Sequence, residues 1–586
     1  MLSSIFEPKI EKTDNELVEN FIQPYPRLIE DLRQWPVYKL SEDRENFIKE
    51  IVAYTKDRLK ILAPDQNSLI EQVLFQERNR LRDNPWKVDT KKEKKFWRDV
   101  RKRLLQIESE TSQNAVLSRE SLITDIIEQY AEEIVAKFIP AVFNFSSNTL
   151  FFFFNRLLNA AVERWWRFLG SRYRLHQRIQ VFGDVELIRD LSQKGTLIVM
   201  PTHFSNLDSI LVGFAMDSIM GLPSFSYGAG INLSNSSFFA FFINRLGAYQ
   251  VDRRKKNIIY LETLKAMSTL SLERGTNTLF FPGGTRARSG ALETKLKMGL
   301  MGTAMEAQRA LFQKGETTKI VIVPLVTSYH FVLEAPHLIH QYLQIEGKEK
   351  FLKNRFQGNN LYEWLKFAWQ FFSKKSEILL SFDHPMDVFG NKLDVNLNSI
   401  DKHGNIIDIK EYFSNGKIIN TDLQRETEFT KLLAEKITDR FHKANIVLSS
   451  HLVAFAAYYM LSANYDNLDL YSLLRLSVDD FYFPRAELLK AVDALKKEVI
   501  VLAKKGNLKI SREILFDSEE LLVDGVKKLG AYNLIKPLVF NKKGNVECDE
   551  LSVLFYYKNR LENYGLSKKV TWSLYKLGYR NEEVKE

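Results

Sequence analysis

An unbroken apolar run, Thr196-Leu197-Ile198-Val199-Met200, stops at Pro201 and gives way to a second stretch, Leu207-Asp208-Ser209-Ile210-Leu211-Val212. The first run reads as a buried strand and the second as the opening of a helix. Pro201 ends the strand, and Ser205 or Asn206 is expected to cap the helix. His203 therefore falls in the strand-to-helix turn. Asp208 falls in the first helical turn, where the helix dipole favours its charge and the backbone folds it back towards the imidazole. In such a pair the carboxylate fixes the tautomer and orientation of the ring, and the other ring nitrogen takes a proton from a substrate hydroxyl. Read alone, the two residues serve equally well as a turn histidine and a helix cap.

The same alternation of short apolar runs with helical stretches continues through residues 166–445, the pattern of an α/β domain. Strands are predicted at Thr196–Met200, Thr278–Phe281, Ile320–Val326 and Ile378–Phe382, and helices at Ser209–Met216, Asn257–Glu273 and Met298–Gln313. Residues 1–165 read as helical, carry no catalytic constellation and are expected to be structural. Residues 446–586 return to helix; Leu488, Leu489, Val492, Leu495, Val499 and Leu502 mark one core-facing stripe. The expected fold is α/β, a central mixed-sheet domain flanked by N-terminal and C-terminal helical regions.

Only 26 Gly and 15 Pro occur among 586 residues, which leaves no room for long low-complexity linkers, and no internal repeat is visible. A net charge of +10 suits anionic partners: phosphorylated substrates, acyl carriers, membrane phosphates or nucleic acid. A single cysteine, Cys548, excludes a disulfide framework and a multi-cysteine metal site, and suits a reducing cytoplasmic setting. Met1 to Lys12 lacks an apolar stretch of signal-peptide length, so export is not expected. The basic segment Lys91–Arg103, with Phe96 and Trp97 interleaved, reads either as a surface for membrane phosphates or nucleic acid or as a solvated helix face. Between Ile134 and Leu169 the chain is most apolar, but Asn144, Asn148, Asn155 and Arg156 interrupt it. It reads as an interfacial or domain-packing helix, not a spanning one.

A second chemical feature is Phe280-Phe281-Pro282-Gly283-Gly284-Thr285-Arg286-Ala287-Arg288-Ser289-Gly290. Adjacent glycines let backbone approach a ligand, and two arginines spaced by one residue in an extended turn can grip one phosphate. Lys295 and Lys297 add positive charge. Read alone, it is also a plain glycine turn with solvated arginines. Before it lies Gly247-Ala248-Tyr249-Gln250-Val251-Asp252-Arg253-Arg254, after the apolar Phe238–Ile243. Beyond it, Ile320–Tyr329 reads as a strand broken by Pro324.

These four pieces, in this order, resemble the blocks of the glycerolipid acyltransferase superfamily: H-x-x-x-x-D, a Gly/Arg block, an F-P-E-G-T-R-type block and a V-P block. The resemblance implies that His203 is the general base and Asp208 its orienting partner. It places Arg253, Gly283, Gly284, Thr285, Arg286, Arg288 and Pro324 in substrate binding. Gly283 departs from the pattern, standing where most of the family has glutamate. The helical regions around the central domain, with Ser449–Ala457 and Leu551–Leu561, look like those of the large glycerol-3-phosphate acyltransferases. The implied reaction moves a fatty acyl group from acyl-CoA or acyl carrier protein to glycerol 3-phosphate in phospholipid biosynthesis, with no metal, no cofactor and no nucleic-acid partner. A peripheral or monotopic place on the cytoplasmic face of the cell membrane is expected. A 1-acylglycerol-3-phosphate or other lysophospholipid acceptor is the nearest alternative, and a non-catalytic lipid-binding protein the alternative of another class. A hydrolase would need a nucleophile such as the G-x-S-x-G elbow, which does not occur.

Overall fold

The computed structural model describes residues 17–575 apart from 87–88, 108–111, 148–177, 232–240, 242–243, 346–376, 417, 478–479 and 531–535. Its centre is a seven-stranded sheet of β1 (Ile179–Phe182), β2 (Thr196–Pro201), β3 (Ser226–Gly230), β4 (Ala248–Val251), β5 (Thr278–Leu279), β6 (Ile320–Tyr329) and β7 (Ile378–Phe382), in the spatial order β1-β7-β6-β2-β5-β3-β4. β2 to β6 run parallel, whereas β7 is antiparallel to β6 and carries β1 with it. The sheet is therefore mixed, as expected. Every residue of β2 and β6 is buried. Both strands are covered on both faces, which is why their sequences are apolar over Leu197–Pro201 and Ile320–Val326 rather than alternating.

β6 corrects the expected break at Pro324, since it runs unbroken to Tyr329. A strand residue's N–H and C=O point to the same side, and the Pro324 carbonyl accepts the Asp383 N–H at 2.9 Å as the chain leaves β7. The missing donor thus faces a connection, not a ladder partner. β5 is shorter than expected, because Phe281 leaves the sheet to meet His203 and Pro282 has no N–H to extend the ladder.

The principal helices are α1 (Pro36–Glu42), α2 (Arg44–Leu62), α3 (Gln66–Asp83), α4 (Lys91–Ile107), α5 (Ser112–Ile134), α6 (Val185–Lys194), α7 (Asp208–Phe214), α8 (Ile258–Glu273), α9 (Met298–Gln313), α10 (Ala335–Ile345), α11 (Leu423–Ala444), α12 (Ser449–Asn464), α13 (Arg485–Lys504), α14 (Ser518–Lys528) and α15 (Leu551–Lys558). α7 differs from expectation at both ends. Its N-cap is Leu207, with no side-chain cap, and it widens into a π turn at Ala215–Ile219. Ser205 still serves the entry, because its Oγ accepts the Leu207 N–H at 3.2 Å.

The N-terminal helices do not stand apart. α2 and α5 pack on α8, and Ile51, Leu122, Ile126 and Tyr130 share one core with Tyr249, Ile259, Tyr260 and Met267. α8 is consequently buried around most of its circumference. In α4, Trp97, Val100, Leu104 and Ile107 face this core while Lys91, Lys92, Lys94, Lys95 and Arg98 stay exposed. Trp97 therefore belongs to packing rather than to the basic face. The expected interfacial stretch lies mostly outside the described residues; its early part is helical at 140–147. Among the described residues no helix is long and apolar enough to cross a membrane.

On the C-terminal side α12 is almost wholly buried among α13, α14 and α15, and α15 also packs on α10. The Leu488–Leu502 stripe is buried apart from Leu489, which is partly exposed. This region also holds a small antiparallel sheet of Tyr482–Phe483, Val546–Cys548 and Leu538–Phe540, beyond the expected helices.

Candidate active site

Ligands of open α/β sheets bind beyond the carboxyl ends of the parallel strands. Here the turn after β2 brings His203, the turn after β4 brings Arg253, the loop after β5 brings residues 281–290, and the end of β6 brings Tyr329 and Glu334.

Asp208 is fully buried at the start of α7. Its Oδ2 faces His203 Nδ1 at 2.9 Å and accepts the backbone N–H groups of Phe204 at 2.7 Å and Ser205 at 2.9 Å. Its Oδ1 accepts the hydroxyl of Tyr329 in a short hydrogen bond. A carboxylate offers only acceptors, so the proton of the His203–Asp208 bond sits on Nδ1 and leaves the lone pair on Nε2. The ring is stacked on Phe281, with centroids 4.1 Å apart. Its backbone is tied down on both sides: the His203 N–H donates to Glu293 Oε1 at 3.0 Å, and its carbonyl accepts the Ala287 N–H at 2.7 Å. The first and third sequence blocks are thus stitched together through the backbone of the histidine itself.

Arg286 lies on the same side, its Nη1 3.6 Å from Glu334 Oε1. Glu334 in turn accepts the Ser205 hydroxyl and the Asn206 N–H, both at 3.0 Å. Arg253 is held below the ordinary arginine range by partial desolvation and by the nearby charges of Arg286 and Arg288. Three guanidinium groups therefore share one region. No carboxylate among the described residues forms an ion pair with Arg253 or Arg288. Thr285 is exposed in this loop, and Gly284 takes φ +75°, the left-handed region that favours glycine. Lys297 donates its N–H to the Pro282 carbonyl at 2.7 Å and closes the loop. Gly283 lies against Glu293. Pro324 is buried within β6 and presents no side-chain polar group to this region.

Arg254 and Lys255, which follow Arg253, are anchored away from the cluster by the N-terminal helices. Arg254 pairs with Asp89 and Asp252, each at 2.7 Å, and stacks on Trp86, 4.2 Å from the ring centroid. Lys255 pairs with Glu133 at 2.5 Å. Arg80, itself bonded to Glu77 and Asp89, completes the buried network. The N-terminal region thus fixes the turn that carries Arg253. No local signal could have shown this, because Asp89 and Arg254 are 165 residues apart.

Residues 183–328 match the family model described as Acyltransferase. The chain is similar to proteins named glycerol-3-phosphate acyltransferase from Actinobacillus succinogenes (32% identical over 177 residues, 29% of this chain and 20% of that protein). It also resembles those from Pseudomonas paraeruginosa (26% over 207 residues, 35% and 22%) and Aeromonas hydrophila (29% over 186 residues, 31% and 22%). The stretch that carries the His203 turn, the arginine loop and β6 is thus similar to an acyltransferase domain. The matched part spans about a fifth of the length of these curated relatives.

The acyltransferase domain is backed by C-terminal residues to which sequence reading gave no role. Arg560, buried, lies 4.2 Å over the Phe204 ring and donates to Asn445 Oδ1 at 2.7 Å and the Thr327 carbonyl at 2.6 Å. Burial pulls its guanidinium down to about 10. Asn559 donates to the Ser289 carbonyl at 2.8 Å. Gly290 has φ +81°, and a Cβ there would overlap the Tyr556 carbonyl oxygen. Beside α7 the acyltransferase domain opens a largely apolar cleft of about 930 Å³, part of it open to solvent, lined by Ser209, Ile210, Gly213, Phe214, Tyr227 and Leu279 among others. Among the described residues one group has metal-ligating types close together, His330, Glu377 and Glu513. The Lys528 ammonium pairs with Glu513 there at 2.9 Å.

Proposed function

We propose that the protein transfers a fatty acyl group from an acyl thioester, acyl-CoA or acyl carrier protein, to a hydroxyl of glycerol 3-phosphate. The observation that carries this reading is the pairing of an oriented imidazole, whose Nε2 has no protein partner among the described residues, with three arginines on the same face. A small acceptor with a phosphate at one end and a hydroxyl at the other suits that pairing. The arginines hold the phosphate, and His203 Nε2 takes the hydroxyl proton as the oxygen bonds to the thioester carbonyl carbon. The tetrahedral intermediate then collapses, the C–S bond breaks, and the thiolate recovers the proton from the imidazolium. No covalent acyl-enzyme is formed. The apolar cleft beside α7 supports the reading by offering room for an acyl chain. The names of the relatives support the same acceptor. A product that is itself a lipid, and a net charge of +10, support work at an anionic membrane surface.

The test is to incubate purified protein with acyl-CoA or acylated carrier protein and, in turn, glycerol 3-phosphate, 1-acylglycerol 3-phosphate and a zwitterionic lysophospholipid, and to identify the product by mass spectrometry. Lysophosphatidate from glycerol 3-phosphate is expected. His203→Ala should lower the rate by about 10²–10⁴-fold. Product from a lysophospholipid alone would replace the acceptor, and no product from any pair would remove the catalytic reading.

A further inference from the structure

Gly283 gives the loop after β5 no side chain between Phe281, which stacks on His203, and Ala287, which bonds its carbonyl, yet the space beside it is filled. A Cβ built on Gly283 would lie 3.0 Å from Cγ, 3.1 Å from Oε1 and 3.5 Å from Cδ of Glu293. The loop delivers Glu293 there by folding back on itself: Gly290 turns it with positive φ, and the Lys297 N–H closes it onto the Pro282 carbonyl. Glu293 Oε1 accepts the His203 N–H at 3.0 Å. Its Oε2 is shielded from solvent and accepts no hydrogen bond among the described residues. Desolvation raises its pKa, while the His203 N–H, its own N–H and the charges of Arg560 and His203 pull in the opposite direction. A half-buried carboxyl group with one shielded oxygen is thus held by few bonds, and one of them is to the backbone of the proposed base.

We propose that Glu293 is the positioning acid of this site, a carboxyl supplied from the far side of the loop into the volume that a side chain at position 283 would occupy. It sets the His203 turn, and with it the ring between Phe281 and Asp208. The inference rests on the acyl-transfer reading for its kinetic test, but not for its structural one.

The experiment compares wild type, Glu293→Ala, Glu293→Gln, Gly283→Glu and the double variant Glu293→Ala/Gly283→Glu. Acyl transfer is read as kcat and KM, and the low-field proton resonance of the His203–Asp208 bond, identified by its loss in His203→Ala, is read without substrate. Misplacing a catalytic group by about 1 Å costs about 10²-fold. Glu293→Ala should therefore lose about 10²-fold in kcat with little change in either KM, and its low-field resonance should shift or broaden. Glu293→Gln keeps an acceptor for the His203 N–H and should stay within a few-fold of wild type. Gly283→Glu alone should impair the protein, since two carboxyl groups then compete for one volume. In the Glu293→Ala background the same substitution should restore at least ten-fold of the kcat and return the resonance. That reversal of sign is not produced by a merely structural residue. The proposal falls if Glu293→Ala matches wild type in rate and resonance, or if Gly283→Glu harms both backgrounds equally. Should Glu293→Ala not fold, a folded double variant with near-wild-type resonance still supports the proposal, and an unfolded one overturns it. If no protein in the set transfers acyl groups, the resonance alone decides the positioning and the acyl-transfer reading fails separately.

Discussion

Asp208 allows a sharper test than loss of function, because its two isosteric replacements should fail in different ways. The carboxylate serves the His203 ring, two backbone N–H groups and the Tyr329 hydroxyl. Asparagine can serve all four. Its oxygen must take the place of Oδ2, since the Phe204 and Ser205 N–H groups would clash, donor against donor, with an amide NH₂ there. The NH₂ then faces Tyr329, whose hydroxyl rotates to accept. With the oxygen locked towards His203, Nδ1 keeps its proton and Nε2 remains the base. Only the charge that supports the forming imidazolium is lost. A charge-assisted hydrogen bond contributes roughly 1.5–3 kcal/mol, so kcat should fall about 10–150-fold. Where such a substitution flips the tautomer, the loss is about 10⁴-fold. Alanine instead strands three protein donors besides the ring, at about 1–3 kcal/mol each, and should destabilise the fold by about 3 kcal/mol or more. Steady-state kinetics and urea unfolding of both variants provide the assay. A loss of 10⁴-fold in Asp208→Asn, or equal stabilities for Asn and Ala, would refute the locked-amide reasoning.

Three further outcomes are expected. Arg286→Ala should lower kcat/KM for glycerol 3-phosphate about ten-fold to over a hundred-fold with the donor KM unchanged, and lysine should restore only part, lacking the bidentate fork; a change confined to the donor KM would move this arginine to the acyl carrier. Arg254→Ala touches no proposed substrate, but it breaks buried pairs with Asp89 and Asp252, so urea unfolding should show a loss of about 3–5 kcal/mol and kinetics a raised acceptor KM through displacement of Arg253; unchanged stability would detach the N-terminal helices from the site. His330 is held down to about 3 by burial and by Lys528, with Glu513 pulling the other way, against an unfolded value near 6.5, so the unfolded chain binds more protons between these values and stability should fall on acidification through that window; His330→Gln should lessen the slope of the unfolding free energy measured from pH 6.5 to 4, leaving the share of buried His451, which is also held down, and an unchanged slope would count against it.

The legible part of this protein is the part whose physics is local. Thr196–Met200 announces a strand covered on both faces because four successive residues, Leu197 to Met200, are apolar without alternation, and His203 and Asp208 meet because five positions span a tight strand-to-helix turn. The order of the blocks was readable for the same reason: each carries its own turn chemistry. Pro324 and Phe281 depart from the sequence expectation because their behaviour depends on neighbours, the Asp383 N–H in one case and the His203 ring in the other. Tertiary structure alone decided what surrounds the pair. Tyr329 reaches Asp208 across 121 positions and Glu293 reaches His203 across 90, and Arg560 comes to Phe204 from the C-terminal region. Each is an ordinary residue in its own segment. A buried carboxylate must collect donors, and a packed turn must be held from outside. Which residues do so is set by where the sheet order and helix packing bring distant segments together, and no spacing along the chain encodes that.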